Sequence, residues 1–276
     1  MLIAERDARY RFVTQPAHAR VAGRLAEHWG GDGFDRPEPS PAVVTATYNH
    51  DNGWWRYDRQ PHRDASGDLV GVRDVPPARW VEFYEDGIDS VVDLDPYAGV
   101  LASLHGSGLR RRRYGLSDAT PPEHDSYERF VADEEARQRR LVDEMRREGD
   151  ERVSERDAAL LESLHESGTP ADEGSRLWRN YALLQAWDRL SLAVCATLPP
   201  GETTEIPLAG DETLTVAAVD GTTFEVEPYP FASDSLVVRV PARRVEKTAV
   251  ETGEDLAGSY YGTPRESLAV TLRGKQ

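Results

Sequence analysis

The chain has 276 residues, 39% of them hydrophobic, with 6 Trp and 11 Tyr, which is enough to bury a core and too apolar for a disordered chain. No apolar run approaches the roughly 20 residues of a bilayer span, and "MLIAERDARYRFV" lacks the basic and apolar regions of a signal peptide, so a cytoplasmic protein with no membrane partner is expected. A formal net charge of −16 offers no basic footprint for a nucleic acid duplex, and the lone Cys195 excludes an intrachain disulfide and a cysteine-built zinc site.

The first strand signal is "RYRFVTQ", where apolar and polar residues alternate. Pro16 then opens a helix through "PAHARVAGRLAEHWG", with Val21, Leu25 and Trp29 four apart, His18 in its first turn and a stop at Gly30 and Gly31. After the proline-rich "FDRPEPSP" a second helix carries His50 and Asp51 near its C-terminal end. Residues 56–77 read as irregular, and helical patterns return at about 78–93 and 95–107, the latter ending in "LASLHGSGL". The charge-dense stretch 122–149 predicts a long exposed helix, followed by a short one at 154–167. Helix 174–196, "GSRLWRNYALLQAWDRLSLAVCA", is apolar on most faces and predicts a central buried helix.

At "TLPPGE" the periodicity changes to short β-type runs: "TEIPL", "ETLTVAAV", "TTFEVEPY", "SLVVRVPARRV" and "SLAVTLR". The expectation is therefore a mainly α bundle over residues 1–198 with a small antiparallel β module over 199–276 packed on it, α+β overall. The module contains no histidine and is expected to stay clear of any metal. Lys247 and Lys275 are the only lysines. An acidic surface nearly free of lysine resembles proteins of salt-loving archaea, whose salt screens the self-repulsion. An ordinary acidic protein from a GC-rich genome is the alternative.

The chemistry gathers around "ATYNHDNGWW", where an apolar approach ends on His50 and Asp51. A buried His-Asp pair needs compensation, and Asp188 in "LLQAWDRLSLAVC" needs it equally. His18, the His50–Asp51 pair and Asp188 lie on three helices that can face one point, as in bundle metal sites. His and Asp donors suit Mn, Fe, Mg or Zn. Without a metal, His18 is an ordinary first-turn residue, His50–Asp51 an interhelical hydrogen bond, and Asp188 the partner of an arginine such as Arg176.

This order of residues resembles the HD superfamily of metal-dependent phosphohydrolases. By that resemblance His18, His50, Asp51 and Asp188 are metal ligands, and His105 is the candidate for a second metal or for contact with substrate. The whole chain, through "TQPAHARVAGRLAEHWG", "HDNGWW", "DPYAGVLASLHGSGL", "AWDRLSL" and "EPYPF", is also similar to the uncharacterised domain of unknown function 3891.

The resemblance implies a divalent-metal-dependent hydrolase that holds one or two ions and acts on a small phosphate ester or nucleotide. Asp51 and His105 are its catalytic candidates, and the state of oligomerisation is left open. The metal would activate water and polarise the phosphoryl oxygen. Alternatives are a di-iron oxygenase, as in some relatives of that superfamily, and a ligand-binding or regulatory protein without turnover. Arg110–Arg113 form the one dense basic run, read either as a phosphate clamp, with Arg110 and Arg111 as the substrate-binding candidates, or as a solvated run pairing with the acidic helix. Trp54 and Trp55 are candidates to wall a pocket, although such residues more often fill a core. "HGSGL" lacks the spacing and lysine of a P-loop, and no nucleophile elbow surrounds Ser107. His105, next to Gly106 and Gly108, is expected within about 6 Å of the point shared by His50, Asp51 and Asp188. "EPYPF" is expected to cover the pocket or a neighbouring subunit.

Overall fold

The computed structural model describes residues 1–210, 212–251 and 255–275 and begins with a hairpin. Strands β1 (Leu2–Arg6) and β2 (Arg9–Val13) pair antiparallel, turning through Asp7, whose φ of 51° is left-handed. The strand expected over "RYRFVTQ" ends early because Thr14 caps the next helix, its hydroxyl accepting from Ala17 N at 3.2 Å.

Seven main helices come next. They are α1 (Gln15–His28), α2 (Ser40–Asn49), α3 (Pro77–Leu94), α4 (Pro96–Gly108), α5 (Asp125–Arg147), α6 (Glu155–Ser167) and α7 (Arg176–Leu192). Prolines in the first turns of α1 to α4 place their missing N–H where a helix needs none. α4 is buried at every position from Tyr97 to Gly108, because it is surrounded by α2, α3, α5 and α7. α7 is buried on most faces, as its composition implies. α5 is only half exposed: Tyr127, Phe130, Gln138, Leu141, Val142 and Met145 form a stripe at helical spacing that packs on α4.

The C-terminal strands are β3 (Thr203–Pro207), β4 (Thr213–Ala218), β5 (Thr223–Glu227), β6 (Ser235–Glu246) and β7 (Glu266–Gly274), with short helices α8 (Lys247–Glu251) and α9 (Leu256–Gly262) joining the last two. All seven strands form one sheet in the order β1-β2-β6-β7-β5-β4-β3. This corrects the expectation of a mainly α, HD-like helical bundle carrying a small antiparallel module. The described residues are 50% helix and 19% strand, an α+β fold with a curled mixed sheet. Two things were not legible locally. β2 pairs with β6, Phe12 opposite Arg243, although the two are at opposite ends of the chain. β5 and β7 run parallel, Phe224 opposite Leu272, because the chain crosses over through β6, α8 and α9.

Along β6, Leu236, Val238, Val240 and Ala242 alternate inward, and α1 packs on this strand. α7 packs against both α1 and β3. The "EPYPF" segment docks on the end of α1: Pro230 O accepts from Gly30 N at 3.1 Å and Gly31 N at 2.9 Å. Phe231, Trp29 and Trp187 then stack edge to face, with centroids 5.9 and 5.6 Å apart. Among the described residues, no helix is long and apolar enough to cross a membrane.

Candidate metal centre

Asp51 shows how two adjacent residues face one point. On a continuous helix they would diverge by a quarter turn or more. Here α2 ends at Asn49, His50 keeps helical angles as its cap, and Asp51 leaves the helix at φ −116°, ψ 26°. Gly53 is needed next because the backbone of α3 crosses there: a Cβ would lie 1.8 Å from Phe83 O. Trp54 then turns inward against Phe83, with centroids 4.9 Å apart, while Trp55 remains half exposed.

Five side chains from α1, the end of α2, α4 and α7 converge: His18, His50, Asp51, His105 and Asp188, none more than 3% exposed. His18 Nε2 is 2.9 Å from Asp51 Oδ2 and 3.8 Å from Asp188 Oδ1. His50 Nε2 lies 3.5 Å from Asp188 Oδ1 and 3.8 Å from Asp51 Oδ2. The His50 ring stands edge-on between the other two, its centroid 5.0 Å from that of His18 and 4.6 Å from that of His105. His105 Nε2 is 4.0 Å from Asp51 Oδ1. One donor atom each from His18, His50 and Asp51 can be chosen so that all lie within 4.8 Å of one another.

Around this group stand Arg113, from the basic run, and four residues not expected from the sequence, Gln15, Tyr84, Gln185 and Ser191. Gln15 Nε2 donates to Asp51 Oδ2 at 2.9 Å, and the Tyr84 hydroxyl donates to Asp51 Oδ1 at 2.8 Å. Ser191 Oγ, donating to Asp188 O, lies 2.7 Å from His18 Nδ1. Arg113 donates to Asp188 Oδ2 at 2.8 Å and, by a short contact, to Gln185 Oε1. Spacing could have revealed three of them: Gln15 lies one turn before His18, Gln185 one turn before Asp188, and Ser191 one turn after it.

The donors also fix protons. His50 Nδ1 lies 2.7 Å from Thr47 O, an acceptor only, so Nδ1 carries a hydrogen, and in the neutral ring Nε2 presents a lone pair. Among the described residues that Nε2 has no hydrogen-bond partner, although it is buried. Burial opposes charge on His50, but Asp51 and Asp188 outweigh it and raise its pKa above the usual value. Burial likewise pushes the Asp51 carboxyl up, and His50 and His18 more than reverse this. Asp188 is held well below the usual range despite burial, first by Arg113 and then by His50. Burial, aided by Asp51, pushes the Tyr84 phenol well up. His105 is pushed down to about 3, first by burial and then by His50.

The arginine run divides. Arg110 is sandwiched between Trp80 and Tyr127, 3.8 Å from each ring, and Arg111 pairs with Glu135 at 3.0 Å. Arg112 reaches the Asp118 carbonyl, and only Arg113 touches the centre. Asp188 is thus the partner of Arg113, whereas Arg176 donates to Glu151 O. Trp54 is fully buried behind Tyr84, with centroids 6.2 Å apart. Among the described residues none beyond 198 reaches the five. No curated protein and no solved structure matches the chain. The profile of the family described as "Protein of unknown function (DUF3891)" matches residues 1–247, and the chain belongs to that family.

Proposed function

We propose that the centre binds a divalent cation and that the protein is a metal-dependent hydrolase of small phosphate esters. The observation that carries the reading is the buried, unpartnered His50 Nε2 between two carboxylate oxygens. A buried nitrogen between two carboxylates calls for positive charge at that point, which a proton on the ring supplies in the metal-free centre and a divalent cation supplies when bound. The residues fit such an ion: His18, His50, Asp51 and Asp188 supply the nitrogen and oxygen donors that Mn, Fe, Mg or Zn accept. The resemblance to the HD superfamily, in which the same order of residues holds a metal, supports the same assignment.

When bound, the ion would lower the pKa of a water and polarise a phosphoryl oxygen. The chain does the rest. Gln15 and Tyr84 hold Asp51 so that its carboxylate does not rotate away, and Thr47 and Ser191 fix the two imidazoles. Arg113, with 15% of its side chain exposed, is the guanidinium a phosphate would meet on arrival.

The depth of the centre favours a second reading, a structural or regulatory metal site, since closed sites are typical of structural ions. Elemental analysis of protein purified without chelator or histidine tag tests the metal. At least one transition metal per chain is expected, greatly reduced in His50→Ala and Asp188→Ala. Wild-type protein that stays metal-free after incubation with Mn, Fe and Zn would sink the proposal. Phosphate release from nucleotides and sugar phosphates separates the hydrolase from the structural site.

A further inference from the structure

The three histidines of the centre are not equivalent, and their outward partners reveal it. His50 gives its Nδ1 hydrogen to a carbonyl and turns Nε2 inward, a lone-pair donor whenever the ring is neutral. His105 is built the other way. Its Nδ1 lies 3.1 Å from Gln185 Nε2, and the orientation of that amide is set by Arg113, which can only donate and therefore takes the Gln185 oxygen. The amide NH2 is then left to donate to His105 Nδ1. A neutral imidazole with an accepting Nδ1 carries its hydrogen on Nε2, the nitrogen directed at Asp51. That nitrogen has no lone pair to give a metal.

We propose that Gln185, held by Arg113, is a positioning residue that keeps His105 in the Nε2–H form. The centre accordingly takes a single divalent ion, and His105 donates a hydrogen bond to a phosphoryl oxygen placed beside it. The ion count rests on the metal-centre proposal, whereas the tautomer stands without it. A second ion at His105 would require its hydrogen to move to Nδ1, setting N–H against the N–H of Gln185. Freeing Nε2 would then need the amide to turn its nitrogen toward Arg113, donor against donor. The same pairings give Arg113 a second task, since it neutralises Asp188 and orients Gln185 with one nitrogen.

The experiment reads protons and ions separately. In metal-free, isotope-labelled wild-type protein at neutral pH, nitrogen NMR of the histidine rings reports which nitrogen is protonated, with His105 assigned by the signals lost in His105→Gln. The expected result is hydrogen on Nε2 for His105 and on Nδ1 for His50. In Gln185→Glu the new carboxylate accepts, and His105 is expected to reverse to Nδ1–H. Zinc titration with subsequent elemental analysis should find one ion per chain in wild type and in His105→Gln alike. Hydrogen on Nδ1 of wild-type His105, or two ions in wild type with one lost in His105→Gln, would overturn the proposal. Gln185→Glu with an unchanged tautomer would overturn the role of Gln185. Protein that binds no zinc would remove the metal centre itself, and the wild-type spectrum would still decide the tautomer even where the variants fail to fold.

Discussion

Two carboxylates, Asp51 and Asp188, lie within a few ångströms of one another's histidines at 3% exposure, and Arg113 is the fixed cation that touches the centre. Arg113→Gln leaves Asp188 buried without that charge. Breaking a buried pair from one side costs about 3–5 kcal/mol, so metal-free Arg113→Gln is expected to melt well below wild type. Added zinc should recover part of the loss by restoring positive charge; equal melting temperatures of variant and wild type would show the pair to be dispensable. Arg113 holds its place against strain. Arg112, Arg113 and Tyr114 have φ of 52°, 51° and 51°, a left-handed run that costs roughly 1 kcal/mol or more per residue. The turn is tied down at Tyr114, whose hydroxyl meets Ser107 Oγ at 2.8 Å, as well as at Asp188. The positions of His18, His50, Asp51, His105 and Asp188 were legible because each is a polar group set among apolar residues near a helix. Four successive arginines carry no such contrast. Which one turns inward is decided by the left-handed turn, and nothing local in "GLRRRRYGL" announces it.

At the scale of elements, the centre depends on how closely α3 approaches the residues after α2. Gly53 and Gly87 meet backbone to backbone: a Cβ on Gly87 would stand 2.9 Å from Gly53 N. This contact seats Trp54 against Phe83 and sets Tyr84, on the same helix, over Asp51. Gly53→Ala forces α3 outward, an overpacking cost of about 3 kcal/mol, and draws the Tyr84 hydroxyl from Asp51. Both melting temperature and zinc affinity are expected to fall, measured by thermal denaturation and calorimetric titration. A variant that lost stability but kept wild-type affinity would show that Tyr84 does not orient Asp51. The existence of α1 to α7 was readable from periodicity, proline and glycine, and their boundaries moved little, whereas α8 and α9 were not expected among the C-terminal strands. The half-buried character of α5 was hidden by its charge, since its apolar stripe is sparse and interrupted by Glu134 and Gln138, which are themselves buried. β1 was missed because "LIAER" alternates too briefly to be seen without its partner.

For the whole molecule, the question is whether the helical part stands without the strands beyond residue 198. The five C-terminal strands were legible from their alternation, but the partners they choose are not a local property. β6 receives β2 on one edge and carries α1 on its inward face, and the Pro230 carbonyl just before it closes the end of α1. A chain cut after Leu198 would lose all of these. β2 would keep only β1, and an isolated two-stranded hairpin is marginal in water. Trp29, 1% exposed, would lose the cover supplied by Phe231. Exposing apolar surface at roughly 25 cal/mol per Å² quickly consumes a stability of about 5–15 kcal/mol. A fragment of residues 1–198 is therefore expected to show helical circular dichroism without a sharp thermal transition, and to bind zinc far more weakly than the full chain. A fragment that melts cooperatively and keeps its ion would establish the opposite, a self-sufficient helical metal-binding domain to which the strands are an attachment.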